Sequence, residues 1–236
     1  MALFALADLH LSFSNDKPMD IFGEAWKNHS EKIEKNWRTL VAEEDTVIVP
    51  GDISWAKHLE DVVRDLAFIH ALPGTKILSK GNHDYWWSTV ARMERLVAEQ
   101  GLTSLHFMKN NAFLVEDAVV CGAKGWMLPT DPDFGAQDRV IYEREKGRLQ
   151  RSLEEGRNLM LGETSTLVAA LHYPPLIYPY NDTEITKILE DYRVDICVYG
   201  HLHGAALRRV FEGERNGVEY RSVSADYVDF TPIKLI

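Results

Sequence analysis

Five short fragments carry most of the side chains in this sequence that could do chemistry: Asp8-Leu9-His10, Gly51-Asp52, Gly81-Asn82-His83-Asp84, His172 and Gly200-His201-Leu202-His203. Each directly follows a short apolar run. With His83 and Asp84 set aside, they offer two carboxylates, one amide oxygen and four imidazoles. A mixed oxygen and nitrogen set of this kind suits a pair of transition-metal ions, whereas Ca²⁺ and Mg²⁺ prefer oxygen alone. Taken singly, each residue has a plain structural explanation. Asp8 and Asp52 can cap turns, Asn82 can sit in a left-handed turn, and His172 can be a core histidine. Taken together they resist that explanation, because burying so many polar groups in one crevice without a partner is costly.

The spacing within the fragments points the same way. Asp8 and His10 flank one residue, so at the end of an extended strand they face the same side and can share an ion. Gly51 permits close backbone approach just before Asp52. A carboxylate has two oxygens, so Asp52 can bridge two cations about 3.5–4 Å apart, the separation of a two-metal clamp. His201 and His203 have the same i, i+2 spacing in a glycine-flanked loop, where they can serve different ions.

Elements able to position these side chains are visible in the hydrophobic pattern. Strand-length apolar runs occupy 2–7, 46–49, 75–78, 166–171 and 194–199, and their lack of alternation predicts strands buried on both faces. Helical stripes separate the early strands: Trp26, Ile33, Trp37 and Leu40; Leu59, Val62, Val63 and Leu66; Val90, Met93, Leu96 and Val97. Shorter strands are predicted at 104–108, 111–115 and 118–122, then a loop at 123–136 and a charged helix over about 138–155. Segments 206–211 and 217–223 read as a hairpin, and 227–235 as a strand that closes a sheet. The alternation predicts βαβ units in two mixed sheets packed face to face, with helices outside. Ligands of open α/β sheets bind beyond the carboxyl ends of the strands, and Asp8, Asp52, Asn82, His172 and His201 all fall there.

The ordered series DLH, GD, GNHD, H and GHLH resembles the calcineurin-like metallophosphoesterase superfamily, with blocks spanning residues 8 to 203. That resemblance implies an α/β fold built as a four-layer α/β/β/α sandwich. It implies a first ion on Asp8, His10, Asp52 and His203, and a second on Asp52, Asn82, His172 and His201. It places His83 beside the substrate phosphate as a non-ligand, with Asp84 oriented to support it. Manganese is the leading metal from family habit, with iron, zinc, cobalt or nickel as the other candidates.

A water shared by two cations is acidified, so a hydroxide is available near neutral pH to attack phosphorus in line, with His83 as proton donor to the leaving group. The expected activity is hydrolysis of phosphoesters, with diesters slightly ahead of monoesters. The Ser/Thr protein phosphatase branch has an arginine shortly after its GD motif and Glu after GNH. This chain has Ile53-Ser54-Trp55-Ala56 and Asp84 instead, which argues against a phosphoprotein substrate. Aromatic residues flank the motifs, and Trp126 and Tyr173 are the candidate substrate-stacking pair. Lys57, Lys80 and Lys124 are read by default as solvated or snorkelling side chains, with phosphate binding as the alternative. Arg139, Arg144, Arg148 and Arg151 are read as ion-paired along their helix, with a rim reaching the active site as the alternative. The rival activities are a nuclease acting on single strands or ends, and a noncatalytic interaction module on the same fold. Scaffolds of the latter kind typically lack a ligand or the histidine after the asparagine, and this chain keeps both.

Bulk properties set the remaining limits. A chain of 236 residues with 45% hydrophobic content can form one sizeable core, so a single domain over 1–236 is expected. A formal net charge of -10 argues against a surface built to neutralise nucleic-acid phosphates, leaving nucleic acid as a substrate only. Cys121 and Cys197 stand in apolar runs without CxxC spacing and read as buried thiols of a reducing compartment. The apolar start meets Asp8 too soon for a signal sequence, and no run approaches the length of a membrane span. A cytoplasmic protein without membrane attachment is expected; its oligomeric state is left open.

Overall fold

A computed structural model of the chain describes residues 1–15, 17–162 and 165–236. The elements, in order, are β1 (Leu3–Ala5), α1 (His29–Leu40), β2 (Thr46–Pro50), α2 (Val63–His70), β3 (Thr75–Ser79), α3 (Val90–Glu99), β4 (Leu105–Met108), β5 (Phe113–Val115), β6 (Ala118–Ala123), α4 (Ala136–Leu159), β7 (Thr166–Leu171), α5 (Glu184–Asp191), β8 (Ile196–Tyr199), β9 (Gly213–Arg215), β10 (Val218–Ser222) and β11 (Ile233–Lys234).

They form two mixed sheets. The first runs β11-β1-β2-β3-β4, parallel except for β11; the second runs β5-β6-β7-β8-β10-β9, with a parallel centre and an antiparallel strand at each edge. Alternation within each strand builds the layers. Phe4, Leu6, Val47, Val49 and Leu78 face outward into a core shared with Ile33 and Trp37 of α1, Leu66 of α2 and Met93 of α3. Val119, Cys121, Leu167, Ala169 and Cys197 face outward from the second sheet toward Leu149 and Leu153 of α4 and Ile185 and Leu189 of α5. The alternate residues, among them Leu3, Ala5, Ala7, Ile48, Ile77, Val120, Val168, Ala170 and Val198, pack between the sheets. The result is the helix–sheet–sheet–helix sandwich that the sequence predicts. The seam between the sheets is rich in small side chains. Gly122 lies in it so close to the Ala170 carbonyl that a Cβ would overlap it.

Local chemistry explains the element ends. Thr89 caps α3 by accepting from the Arg92 amide, Thr183 caps α5 by accepting from the Thr186 amide, and Asp138 in the first turn of α4 accepts from the Gly135 amide. α5, which the hydrophobic pattern did not bring out, is marked by that Thr183 cap and by Ile185, Ile188 and Leu189.

Three local expectations are corrected. Segment 206–211 is not a strand: Gly204–Arg209 forms a 3₁₀ helix, and the strand paired with β10 is the short Gly213–Arg215. Ala206, Leu207, Val210 and Phe211 still pack on the second core, so burial alone did not reveal the conformation. Trp26 sits on a separate 3₁₀ turn before α1, and Leu40, at the helix end, is exposed. α2 begins only at Val63, so Leu59 and Val62 are buried in the turns that precede it. Both cysteines are buried and unpaired, and no helix among the described residues is long and apolar enough to cross a membrane.

Candidate metal centre

The seven candidate ligands meet at one rim of the sandwich, because each follows the carboxyl end of a strand. Asp8 and His10 follow β1, Asp52 follows β2, and Asn82 follows β3 on the first sheet; His172 follows β7, and His201 and His203 follow β8 on the second. The backbone must turn sharply to aim them inward. Asp8 (φ 61°), His10 (φ 44°), Asp52 (φ 51°) and His201 (φ 74°) all adopt left-handed conformations, uncommon for side-chain-bearing residues and concentrated at functional sites. The neighbouring glycines make room for this. A Cβ on Gly81 would overlap the Asp52 carboxylate, and one on Gly51 would lie 2.6 Å from the Gly81 backbone and 2.8 Å from His172 Nδ1.

Two sets of ligand atoms lie within 4.8 Å of one another: Asp8, His10 and His203, and Asp8, Asp52 and His172. Asp52 Oδ2 is 3.7 Å from His10 Nε2, and Asp52 Oδ1 is 3.5 Å from His172 Nε2, so its two oxygens face opposite groups. Asp8, with Oδ1 3.4 Å from His203 Nε2 and 3.8 Å from His172 Nδ1, also stands between them. Asn82 Oδ1 lies 2.7 Å from His172 Nε2 and 2.9 Å from His201 Nδ1.

The donor set fits cations on an observation independent of any motif. His172 Nδ1 is 3.0 Å from the Pro50 carbonyl, to which only an N–H can bond, so the neutral ring presents a lone pair at Nε2. Burial holds His172 below its usual pKa and in that neutral form. Its Nε2 lone pair then faces the Asn82 oxygen and Asp52 Oδ1, both of them acceptors, with His201 Nδ1 3.3 Å away. A positive ion among them turns that repulsion into coordination. His203 is held from behind in the same way, with Nδ1 2.7 Å from Asp226 Oδ1, but its buried Nε2 faces the Asp8 carboxylate at 3.4 Å and has no closer partner among the described residues.

The charges are set by the same crowding. Burial opposes ionisation of Asp8, yet the facing His203 holds its carboxyl well below the ordinary range. Burial, reinforced by anionic Asp8, pushes Asp52 up to about 7. His203 is raised to about 10, burial notwithstanding, by Asp8 and Asp226. Burial and the neighbouring imidazoles lower His201 to about 3 and His83 to about 4.

His83 lies at the edge of the ligand cluster. Its amide donates to Asp52 Oδ1 at 2.8 Å, and its ring is half-exposed, with Nε2 4.0 Å from Asp52 Oδ2. The Asp84 carboxylate accepts from the amides of Ile53, Ser54 and Gly81 and from Trp86 Nε1, and makes no hydrogen bond to the His83 ring. It ties the loop after β2 to the loop after β3 and so positions Asp52 and Asn82 together.

Two further residues support the site: Asp226, which no motif reveals, and Trp55, which the sequence marks only as one of the aromatics flanking the motifs. Asp226, four residues beyond β10, orients His203 and also accepts from the Gly204 amide at 3.1 Å. Trp55 stacks on His10 at 5.0 Å between ring centroids and lies 4.4 Å from His83. With Met19, Phe22 and Trp26 it forms an apolar hollow of about 260 Å³ beside the ligands. The expected pair is on the opposite flank: Tyr173 packs 4.0 Å from His201 and 5.4 Å from Trp126, whose indole N–H donates to Asp138.

Comparison with known proteins agrees with this picture. The family model for calcineurin-like phosphoesterases matches residues 1–205. Among solved structures, phosphopantetheinyl hydrolase from Mycobacterium tuberculosis superposes with a TM-score of 0.58 at 16% identity, over 100% of this chain and 95% of its own. The protein TT1561 of Thermus thermophilus gives a TM-score of 0.53 at 11% identity, over 99% and 97%. At these identities the structures share the fold. No curated protein matches the chain.

Proposed function

Since the chain belongs to the calcineurin-like phosphoesterase family and is therefore a metal-dependent hydrolase, we propose that it is a binuclear phosphoesterase, one domain over its whole length, acting on phosphodiesters in preference to monoesters. The observation that carries this reading is the convergence of lone pairs from both sheets on one rim, with His172 fixed in the tautomer that presents Nε2. Asp8, His10, Asp52 and His203 would hold one ion, and Asp52, Asn82, His172 and His201 the other, with manganese the leading candidate. When bound, two such ions supply positive charge for the phosphoryl oxygens and acidify the attacking water.

The chain's own residues do the rest. Asp226 holds His203 with Nε2 turned inward, Pro50 does the same for His172, and Asp84 fixes the spacing of the two loops that bear Asp52 and Asn82. His83 is near enough to the ligands to touch a phosphoryl oxygen or leaving group, and its half-exposed ring leaves a path for substrate. Held at about 4, it meets the substrate as a neutral imidazole, so its contribution is a hydrogen bond to the phosphate before it is a proton. The preference for diesters is supported by the apolar hollow that Trp55 and Trp26 line beside the ligands, which has room for an ester substituent.

The test pairs metal analysis with turnover. Purified protein is expected to bind two ions per chain and to hydrolyse bis(p-nitrophenyl) phosphate faster than p-nitrophenyl phosphate. Chelation should abolish activity and added Mn²⁺ should restore it. Two bound ions with no turnover on either ester would defeat the reading. His83→Ala is expected to lower kcat by roughly 10²–10⁴-fold with metal content retained; loss of an ion from that variant would make His83 a ligand instead.

A further inference from the structure

A second cleft opens on the same rim, between the ends of the two sheets. Lys80, Lys109 and Lys124 are each the first residue after a strand, namely β3, β4 and β6, and from across the gap α4 contributes Arg144, Glu145 and Arg148. The cleft encloses about 480 Å³. Five of its side chains are cationic and one is acidic, on a chain whose net charge is -10. Such local concentration against the overall charge focuses an attractive potential for anions.

The expected ion pairing along α4 accounts for only part of this. Arg139 pairs with Glu143 and Glu184, and Arg148 with Glu145. Lys80, Lys109, Lys124 and Arg144 have no carboxylate within 4.0 Å among the described residues. Two residues of the cleft carry a buried polar atom with no hydrogen-bond partner among the described residues: Ser79, 2% exposed, at its hydroxyl, and Glu145, 1% exposed, at Oε2. A phosphate group, which accepts from hydroxyl and cationic donors and when protonated can donate to a carboxylate, matches this lining.

The cleft adjoins the metal ligands through the chain itself. Lys80 immediately precedes Gly81-Asn82, and the Lys124 carbonyl accepts from the amides of His172 and Tyr173. Lys124 Nζ lies 3.8 Å from the Trp126 ring and 5.5 Å from that of Tyr173, which packs on His201.

We propose that this cleft is a second phosphate subsite, so that the substrate carries a further phosphate group beyond the ester that is cleaved. The proposal rests on the hydrolytic reading for where the first phosphate lies, and it narrows that reading to bisphosphorylated substrates. It also gives Lys80, Lys124 and the helix arginines a shared purpose.

The test uses metal-loaded protein and equilibrium binding by calorimetry, which needs no turnover. Alkane-α,ω-diol bisphosphates with spacers of increasing length are compared with the matching alkyl monophosphates. At least one bisphosphate is expected to bind about tenfold or more tightly than its monophosphate, a margin of about 1.4 kcal/mol. Lys109 and Arg144 are both exposed, so their replacement spares the core. In the double variant Lys109→Ala/Arg144→Ala the margin should shrink to within about threefold, while Arg144→Lys alone should keep most of it. A margin absent at every spacer length, or one surviving the double substitution, overturns the subsite. No turnover of either p-nitrophenyl ester or of any bisphosphate, with the binding margin intact, would remove the hydrolytic reading and leave the subsite standing.

Discussion

The two sheets contribute unlike halves to the same rim. The first supplies both carboxylates, the amide and one imidazole, three of the four on left-handed backbone; the second supplies three neutralisable imidazoles, two of them oriented by oxygen partners behind the ring. The first half therefore concentrates negative charge at a conformational cost, and the second sets direction. Charge attracts the ions, and direction decides where they sit. Losing a residue from the first half should abolish loading, whereas disturbing the support behind the second should weaken it by degrees.

The strongest challenge to that division is Asp52→Ala. It is expected to remove both ions and at least about 10³-fold of kcat/KM, checked by metal analysis and kinetics on bis(p-nitrophenyl) phosphate. Asp226→Asn, acting only behind His203, should lower metal affinity by about 10–100-fold and leave saturated activity measurable once Mn²⁺ is raised. If the two variants lose metal equally, the halves are not distinct in kind.

The smallest effect is thermodynamic. With its carboxyl pushed up to about 7, Asp52 is harder to ionise in the fold than in the unfolded chain, where it titrates near 3.8. The fold therefore loses stability as pH rises from the lower value through the higher one. In chelator at pH 8, Asp52→Asn should melt roughly 3–6 °C above the natural chain, and at pH 4 the difference should vanish. Thermal unfolding at the two pH values checks this, and equal shifts at both would assign the gain to something other than charge.

The ligands were legible because each is local to a strand end. A buried apolar run followed by Gly-Asp or Gly-Asn-His-Asp carries both its position and its chemistry in a few residues. Layering was legible for the same reason, since uninterrupted apolar strands need cover on both faces. Asp226 was not, because nothing beside it in the sequence marks it; its meaning lies in a histidine that is 23 residues away along the chain. The support for His83 that the resemblance implies for Asp84 is not visible as a hydrogen bond, because its carboxylate is taken up by the backbone amides of Ile53, Ser54 and Gly81. The basic cleft was legible only as an alternative, for a related reason. Its lysines come from three strands of two sheets, each ordinary alone, and only the packing of α4 across the gap makes them a group. The 3₁₀ segment at Gly204–Arg209 shows the limit of periodicity, since its apolar residues satisfy the core from a conformation that alternation alone does not specify.

The alanine-lined seam has a consequence for chemistry performed well away from it. Because four ligands ride on one sheet and three on the other, the gap between the sheets acts as a feeler gauge, its thickness set by the side chains packed within it, Ala5, Ala7 and Ala170 among them. A wedge of extra carbon at Ala170, touching no ligand itself but two residues before His172, would spread the jaws by a fraction of an ångström and detune the catalyst from behind.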